Sequence, residues 1–90
     1  MAIGVVFQGT GVSQEQYQQV FDQVAPDGQL QPGMLYHAAG VGPDGMFVFE
    51  VWESQEAAQR FFDEKLRQAL QAANITVQPT FLEIVNTMQP

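Results

Sequence analysis

Apolar and polar residues along this chain fall into blocks, and the period of each block changes at glycine or proline. The block Ile3-Gly4-Val5-Val6-Phe7 is short, apolar and β-branched, which predicts a buried strand closed by Gly9-Thr10-Gly11. From Ser13 onward the period is helical, with Tyr17, Val20, Phe21 and Val24 on one stripe. Ser13 and Gln16 have the spacing of a capping box, and Val12 and Tyr17 take the hydrophobic-staple positions around it. Pro26 and Asp27-Gly28 end this helix, and Gln29 to Pro32 reads as a loop. Gly33 to Val41 predicts a second strand and Met46 to Glu53 a third. The turn signal Gly42-Pro43-Asp44-Gly45 joins them as a hairpin. Ser54 caps a long second helix whose apolar stripe is Ala58, Phe61, Phe62, Leu66, Ala69, Leu70 and Ala73, with Asn74 as its stop. Val77 to Val85 predicts the last strand. Pro79 lacks a ladder donor, which places that part of the strand at an edge or bulge. The last few residues read as a tail.

The order is βαββαβ, an α+β, ferredoxin-like arrangement expected to fill residues 1–90 as a single domain. Right-handed crossovers put both helices on one face of a four-stranded antiparallel sheet. The opposite face of such a sheet is normally polar, and strands then alternate. These strands do not alternate. Met46, Val48 and Trp52 lie on one side of the third strand, and Phe47, Phe49 and Val51 on the other. In the first strand Ile3, Val5 and Phe7 oppose Val6; in the last, Val77, Phe81 and Val85 oppose Leu82 and Ile84. A bare apolar face of several hundred Å2 exceeds what monomers usually expose. Burying roughly 600 Å2 on each of two partners offers about 30 kcal/mol of gross transfer energy at ~25 cal/mol/Å2, much of it offset by association costs. A homodimer, sheet against sheet, is therefore expected.

Charge and composition narrow the partners. The net charge is -7, and the three cations Arg60, Lys65 and Arg67 share one segment with Glu56, Asp63 and Glu64. Without a basic patch neither nucleic acid nor an anionic membrane surface is expected as a partner. No apolar run approaches the ~20 residues of a membrane span, and MAIGVVFQGTG lacks the basic region of a signal peptide. The absence of cysteine excludes disulfides and thiolate metal sites and agrees with an expected cytoplasmic location. A single histidine adds no ligand set, so no metal is expected.

Strand order, paired helices and a doubly apolar sheet resemble the dimeric α/β-barrel superfamily. Within it, Val51-Trp52-Glu53-Ser54 followed by Ala57 and Phe61-Phe62, and Met34-Leu35-Tyr36-His37 through Asp44-Gly45, resemble small uncharacterised members of the antibiotic-biosynthesis-monooxygenase branch. The resemblance implies a dimeric α/β barrel that binds a small aromatic or polyketide-like molecule, or oxidises it as a cofactor-independent monooxygenase. A non-catalytic ligand-binding or structural dimer is the alternative. The superfamily also holds haem-degrading enzymes, isomerases and proteins with no known activity. Haem degradation needs an asparagine on the first strand and a histidine on the second helix; both are missing here, and no cofactor is expected.

Candidate chemistry centres on the hairpin. Glu50 is a carboxylate among Val48, Val51 and Trp52, and burying it unpaired would cost several kcal/mol. It is either a general base or a strand-end carboxylate that reaches solvent or pairs across the dimer. His37 is a second candidate base or a satisfied core or interface residue. The resemblance implies that Trp52 lines a cavity between sheet and helices, with Tyr36 and Phe62 as further substrate contacts; Trp52 equally serves as core. Register decides who meets whom. A three-residue loop, favoured by the turn chemistry, pairs Gly42 with Met46, Tyr36 with Trp52 and Ala38 with Glu50. A two-residue loop sets His37 opposite Glu50 instead.

Overall fold

The computed structural model describes residues 2–88 and 90; Met1 and Gln89, within the expected N-terminal segment and tail, lie outside the described residues. Strands β1 (Ile3–Thr10), β2 (Met34–Gly42), β3 (Gly45–Trp52) and β4 (Thr80–Glu83) form one sheet in the order β2-β3-β1-β4. Every neighbouring pair is antiparallel. Helix α1 (Gln14–Val24) follows β1. A composite second helix follows β3: α2 (Gln55–Phe61), a π-helical turn (Phe62–Leu66) and α3 (Arg67–Ala72). This is the ferredoxin-like βαββαβ arrangement that the periodicity predicts.

The local signals account for most boundaries. The capping box forms in both directions: Ser13 Oγ accepts from the Gln16 amide, and Gln16 Oε1 accepts from the Ser13 amide, each at 3.0 Å. Ser54 Oγ accepts the Ala57 amide at 3.1 Å and starts α2. Asn74 stops α3 with φ 59, and the Ile75 amide reaches back to the Leu70 carbonyl at 2.9 Å, a Schellman closure. β4 is shorter than the expected Val77 to Val85. It begins at Thr80 because Pro79 brings no amide hydrogen to the ladder.

Two features differ from expectation. The second helix carries a π-helical turn, in which the Arg67 amide donates to the Phe62 carbonyl. Just before and at the start of this turn, Phe61 packs against Trp52 and Phe62 stacks on Phe7. The hairpin takes the two-residue loop: Gly42 pairs with Gly45, and His37 stands opposite Glu50. Turn chemistry judged in isolation favours the other register, but β1 also holds this turn. Thr10 pairs with Gly45, and the Gly11 amide donates to the Asp44 carbonyl at 2.7 Å. Gly45 therefore belongs to the ladder, at φ 137 and against the Gly9 carbonyl. The irregularity expected at the turn occurs instead at the far end of β2, where Leu35 bulges between Met34 and Tyr36.

The core lies between the sheet and the helices, built on Val5, Phe7, Val20, Met34, Trp52 and Phe62. The other sheet face carries Val6, Phe47, Phe49, Val51, Tyr36 and Leu82, of which Phe47 is 48 % and Leu82 44 % exposed. Among the described residues no helix is long and apolar enough to cross a membrane.

Gly45→Ala tests the three-way contact at the hairpin. An L-residue at this φ, with its Cβ driven into the Gly9 carbonyl, is expected to lower unfolding free energy by at least about 1–3 kcal/mol. A denaturant midpoint unchanged from wild type would show that the turn does not pack on β1.

Candidate functional site

The sheet register assembles the site. His37 on β2 and Glu50 on β3 are direct cross-strand partners, and Val5 pairs with Glu50 from the other side. All three point toward the helices. Glu50 is the buried polar residue of the core, 5 % exposed. Its carboxylate has two donors. Trp52 Nε1–H donates to Oε1 at 3.0 Å, and His37 Nδ1 lies 2.9 Å from Oε2. On the far side of the imidazole, His37 Nε2 lies 2.8 Å from the Tyr17 hydroxyl of α1. Among the described residues no buried side-chain nitrogen or oxygen is left without a partner.

The direction of these bonds follows from the inventory of donors. Indole N–H only donates, and a carboxylate only accepts. Nδ1 therefore carries a hydrogen toward Glu50, and in the neutral imidazole Nε2 then presents a lone pair into which Tyr17 donates; this tautomer is assigned from the partners. The chain runs Tyr17 to His37 to Glu50, with Trp52 as the second donor to the carboxylate. Burial holds the Tyr17 phenol above its ordinary 10.0, and the Glu50 charge pushes it the same way.

This polar chain forms one wall of a cavity of about 330 Å3 between α1, the sheet and the second helix. The lining is otherwise largely apolar and includes Phe7, Phe21, Met46, Val48, Phe61 and Leu70. The loop before β2 contributes Gln29, Leu30 and Gln31. None of Arg60, Lys65 and Arg67 reaches the lining. Among the described residues no group of three His, Cys, Asp or Glu side chains could hold a metal ion.

Of the residues singled out in the sequence, His37 and Glu50 come together and border the cavity. Trp52 does not line it. At 1 % exposure it stands behind the wall, oriented by Phe61 with ring centroids 5.4 Å apart, and its contribution is the hydrogen bond to Glu50. Phe62 is likewise core, between Phe7 and the Arg67 guanidinium, and Phe61 takes the place at the lining expected of it. Tyr36 is on the opposite face, paired with Val51 and 54 % exposed, because the two-residue loop shifts it away from Trp52. Tyr17 is the member of this polar chain that the sequence pattern does not single out. It filled a staple position, yet a phenylalanine would pack there equally well; the hydroxyl, which needs a partner when covered, was the signal.

Alkaline unfolding reads the Tyr17 environment. Because its folded value is raised, the native chain holds this proton when the unfolded chain has lost it. Stability is full below pH 10.0 and falls as pH rises through the folded value. The denaturant midpoint of wild type is expected to fall more steeply above pH 10.0 than that of Tyr17→Phe. Parallel curves would place Tyr17 in water.

No family model matches this chain, and no curated protein is significantly similar to it. Solved structures do match. SnoaB, a cofactor-independent oxygenase from Streptomyces nogalater, superposes with a TM-score of 0.67 at 18 % identity, covering 99 % of this chain and 97 % of that one. Rv0793 from Mycobacterium tuberculosis gives 0.72 at 13 %, with 99 % and 100 % covered. A dimeric ferredoxin-like protein of unknown function from Thermobifida fusca gives 0.66 at 16 %, with 93 % and 92 % covered. A candidate antibiotic biosynthesis monooxygenase from Chloroflexus aurantiacus gives 0.69 at 15 %, with 99 % and 98 % covered. Over nearly its whole length, this chain has the ferredoxin-like fold found among antibiotic-biosynthesis-monooxygenase-like proteins.

Proposed function

We propose that this chain is a cytoplasmic homodimer that binds one small, uncharged aromatic molecule per subunit and removes an acidic proton from it, as a cofactor-independent monooxygenase does. The observation that carries this reading is the cavity of about 330 Å3, largely apolar, with the Tyr17–His37–Glu50 chain at one wall. That volume falls in the range of small-molecule sites, and one convergent polar group in an apolar pocket is their usual make-up. With no cation at the lining, nothing there would neutralise a carboxylate or phosphate. The chemistry follows from the base. Loss of a proton from an activated CH2 leaves an electron-rich carbanion, and dioxygen takes its electrons. The carbon becomes a carbonyl holding one oxygen atom, and the other leaves as water, so four electrons pass in all. SnoaB, which shares the fold, is described as a cofactor-independent oxygenase.

Dimerisation is supported by the open sheet face. In a chain of net charge -7, the residues directed to that face from paired positions include no acid and no cation. Two copies could therefore meet there without opposing charges in contact, while the rest of each surface repels. Sedimentation is expected to give a dimer that tightens with added salt, since screening shortens the repulsion to ~10 Å at 0.1 M. Phe47→Glu should yield monomer; a monomeric wild type at all salt concentrations overturns the assembly.

Binding is testable with 2-tetralone, a neutral bicyclic ketone with an acidic benzylic CH2. Titration followed by NMR is expected to shift Tyr17, His37 and Val48 resonances, and Val48→Trp, which fills the cavity, to abolish the shifts. Equal affinity in the filled variant, or no binding to wild type, would refute the cavity reading. Binding with no oxidation of any activated CH2 compound would leave a non-catalytic binding dimer.

A further inference from the structure

Three groups share the wall of the cavity, the Glu50 carboxylate, the imidazole and the phenol; each carboxylate oxygen already accepts one hydrogen bond, from Trp52 or from His37, and of the other two groups only the phenol has an unshared electron pair free to meet a ligand. Neutral imidazole offers a single in-plane lone pair, at Nε2, and the Tyr17 hydroxyl already occupies it at 2.8 Å. Tyr17 meets the imidazole end-on, with ring centroids 6.2 Å apart, and Phe21 packs beside it at 6.1 Å. The Tyr17 oxygen, having given its hydrogen to Nε2, keeps a lone pair, and among the described residues it has no second partner. Tyr17 is among the residues that line the cavity. The helix that carries it is tied down beside it, since Gln16 Nε2 donates to the Ala73 carbonyl at 3.1 Å and Gln19 Nε2 to the Ala72 carbonyl at 3.4 Å.

We propose that Tyr17 is the catalytic residue that meets the ligand, accepting its acidic proton while handing its own hydroxyl proton to His37 Nε2. This rests on the reading of the cavity as a binding site for an activated CH2 compound. In the step, the ligand C–H bond breaks and its electron pair stays on the ligand as an enolate. A new O–H bond forms at Tyr17 as the old one passes to Nε2. The imidazolium so formed faces the Glu50 carboxylate, so the site's total charge is unchanged. Burial keeps Tyr17 a phenol, and a phenol always has a hydrogen to pass on. Trp52, on the other carboxylate oxygen, is a positioning residue.

The test separates proton transfer from oxidation. Wild-type protein, 2-tetralone and D2O are held under argon, and loss of the benzylic CH2 signal is followed by NMR at several ligand concentrations. Wild type is expected to speed exchange above buffer. Tyr17→Phe is expected to slow exchange of the bound ligand about a hundredfold, while affinity stays within about tenfold, the weight of one neutral hydrogen bond. His37→Gln should slow exchange similarly. If Tyr17 merely shields the imidazole, Tyr17→Phe bares Nε2, and exchange holds steady or quickens, which overturns the proposal. Binding without exchange in wild type also overturns it and leaves the cavity reading standing. Absence of binding sinks both. The Nδ1–H tautomer of His37, read from nitrogen-15 shifts, checks the scaffold: it should survive in Tyr17→Phe and be lost in Glu50→Gln.

Discussion

A carboxylate buried inside a sheet must find donors or be driven out, and Glu50 finds two. Left unpaired at this depth it would cost several kcal/mol, a large share of the stability a ninety-residue domain can hold. Its partners come from different levels of structure. Trp52 is two positions along the same strand, so the strand's own alternation supplies it. His37 comes from across the hairpin and reaches Glu50 only in one register. A one-residue slip would turn His37 to the outer face, leave Oε2 without a donor and strand the Tyr17 hydroxyl. Fold and site are thus one constraint: the same bond that satisfies the buried charge fixes the hairpin and presents the imidazole to α1.

The two faces of the sheet divide the labour. The inner one combines a well-packed half around Trp52, Phe7 and Phe62 with an emptier half under α1, where the cavity lies. Packing is tight where aromatic rings stack and loose where Val48, Met46 and Leu70 leave space between them. At the start of the second helix's π-helical turn, Phe62 goes to the dense half and its neighbour Phe61 to the border of the cavity. The outer face keeps its apolar residues for another purpose and carries no part of the polar chain.

Much of this was legible in the sequence, and the failures have physical reasons. Element order followed from periodicity, and the caps at Ser13, Ser54 and Asn74 from local chemistry that needs no distant partner. The pairing of His37 with Glu50 was visible only as one of two options. A turn propensity weighs four residues, whereas the outcome was decided by β1 closing on Gly45 from far away in the chain. Trp52 takes the core place that was one of its two expected roles, and Phe62 and Tyr36 lie away from the cavity lining, for the same family of causes. Which face a residue shares depends on register, and which of two adjacent phenylalanines borders a void depends on how the helix is rotated against the sheet. Tyr17 could have been suspected from its oxygen alone, but its partner lies in another element.

The bulge at Leu35 has a consequence beyond geometry. β2 is an outer strand of nine residues, with Leu35, Tyr36 and Val41 exposed and no lysine or arginine along it. A straight edge of that kind is an open invitation to a passing strand from another molecule, the first step toward fibrils. The kink interrupts the row of free amides and carbonyls near its start, and it also turns Met34 inward to the core. A single extra residue thus does for this edge what charge does elsewhere: it guards the protein against its own propensity to polymerise.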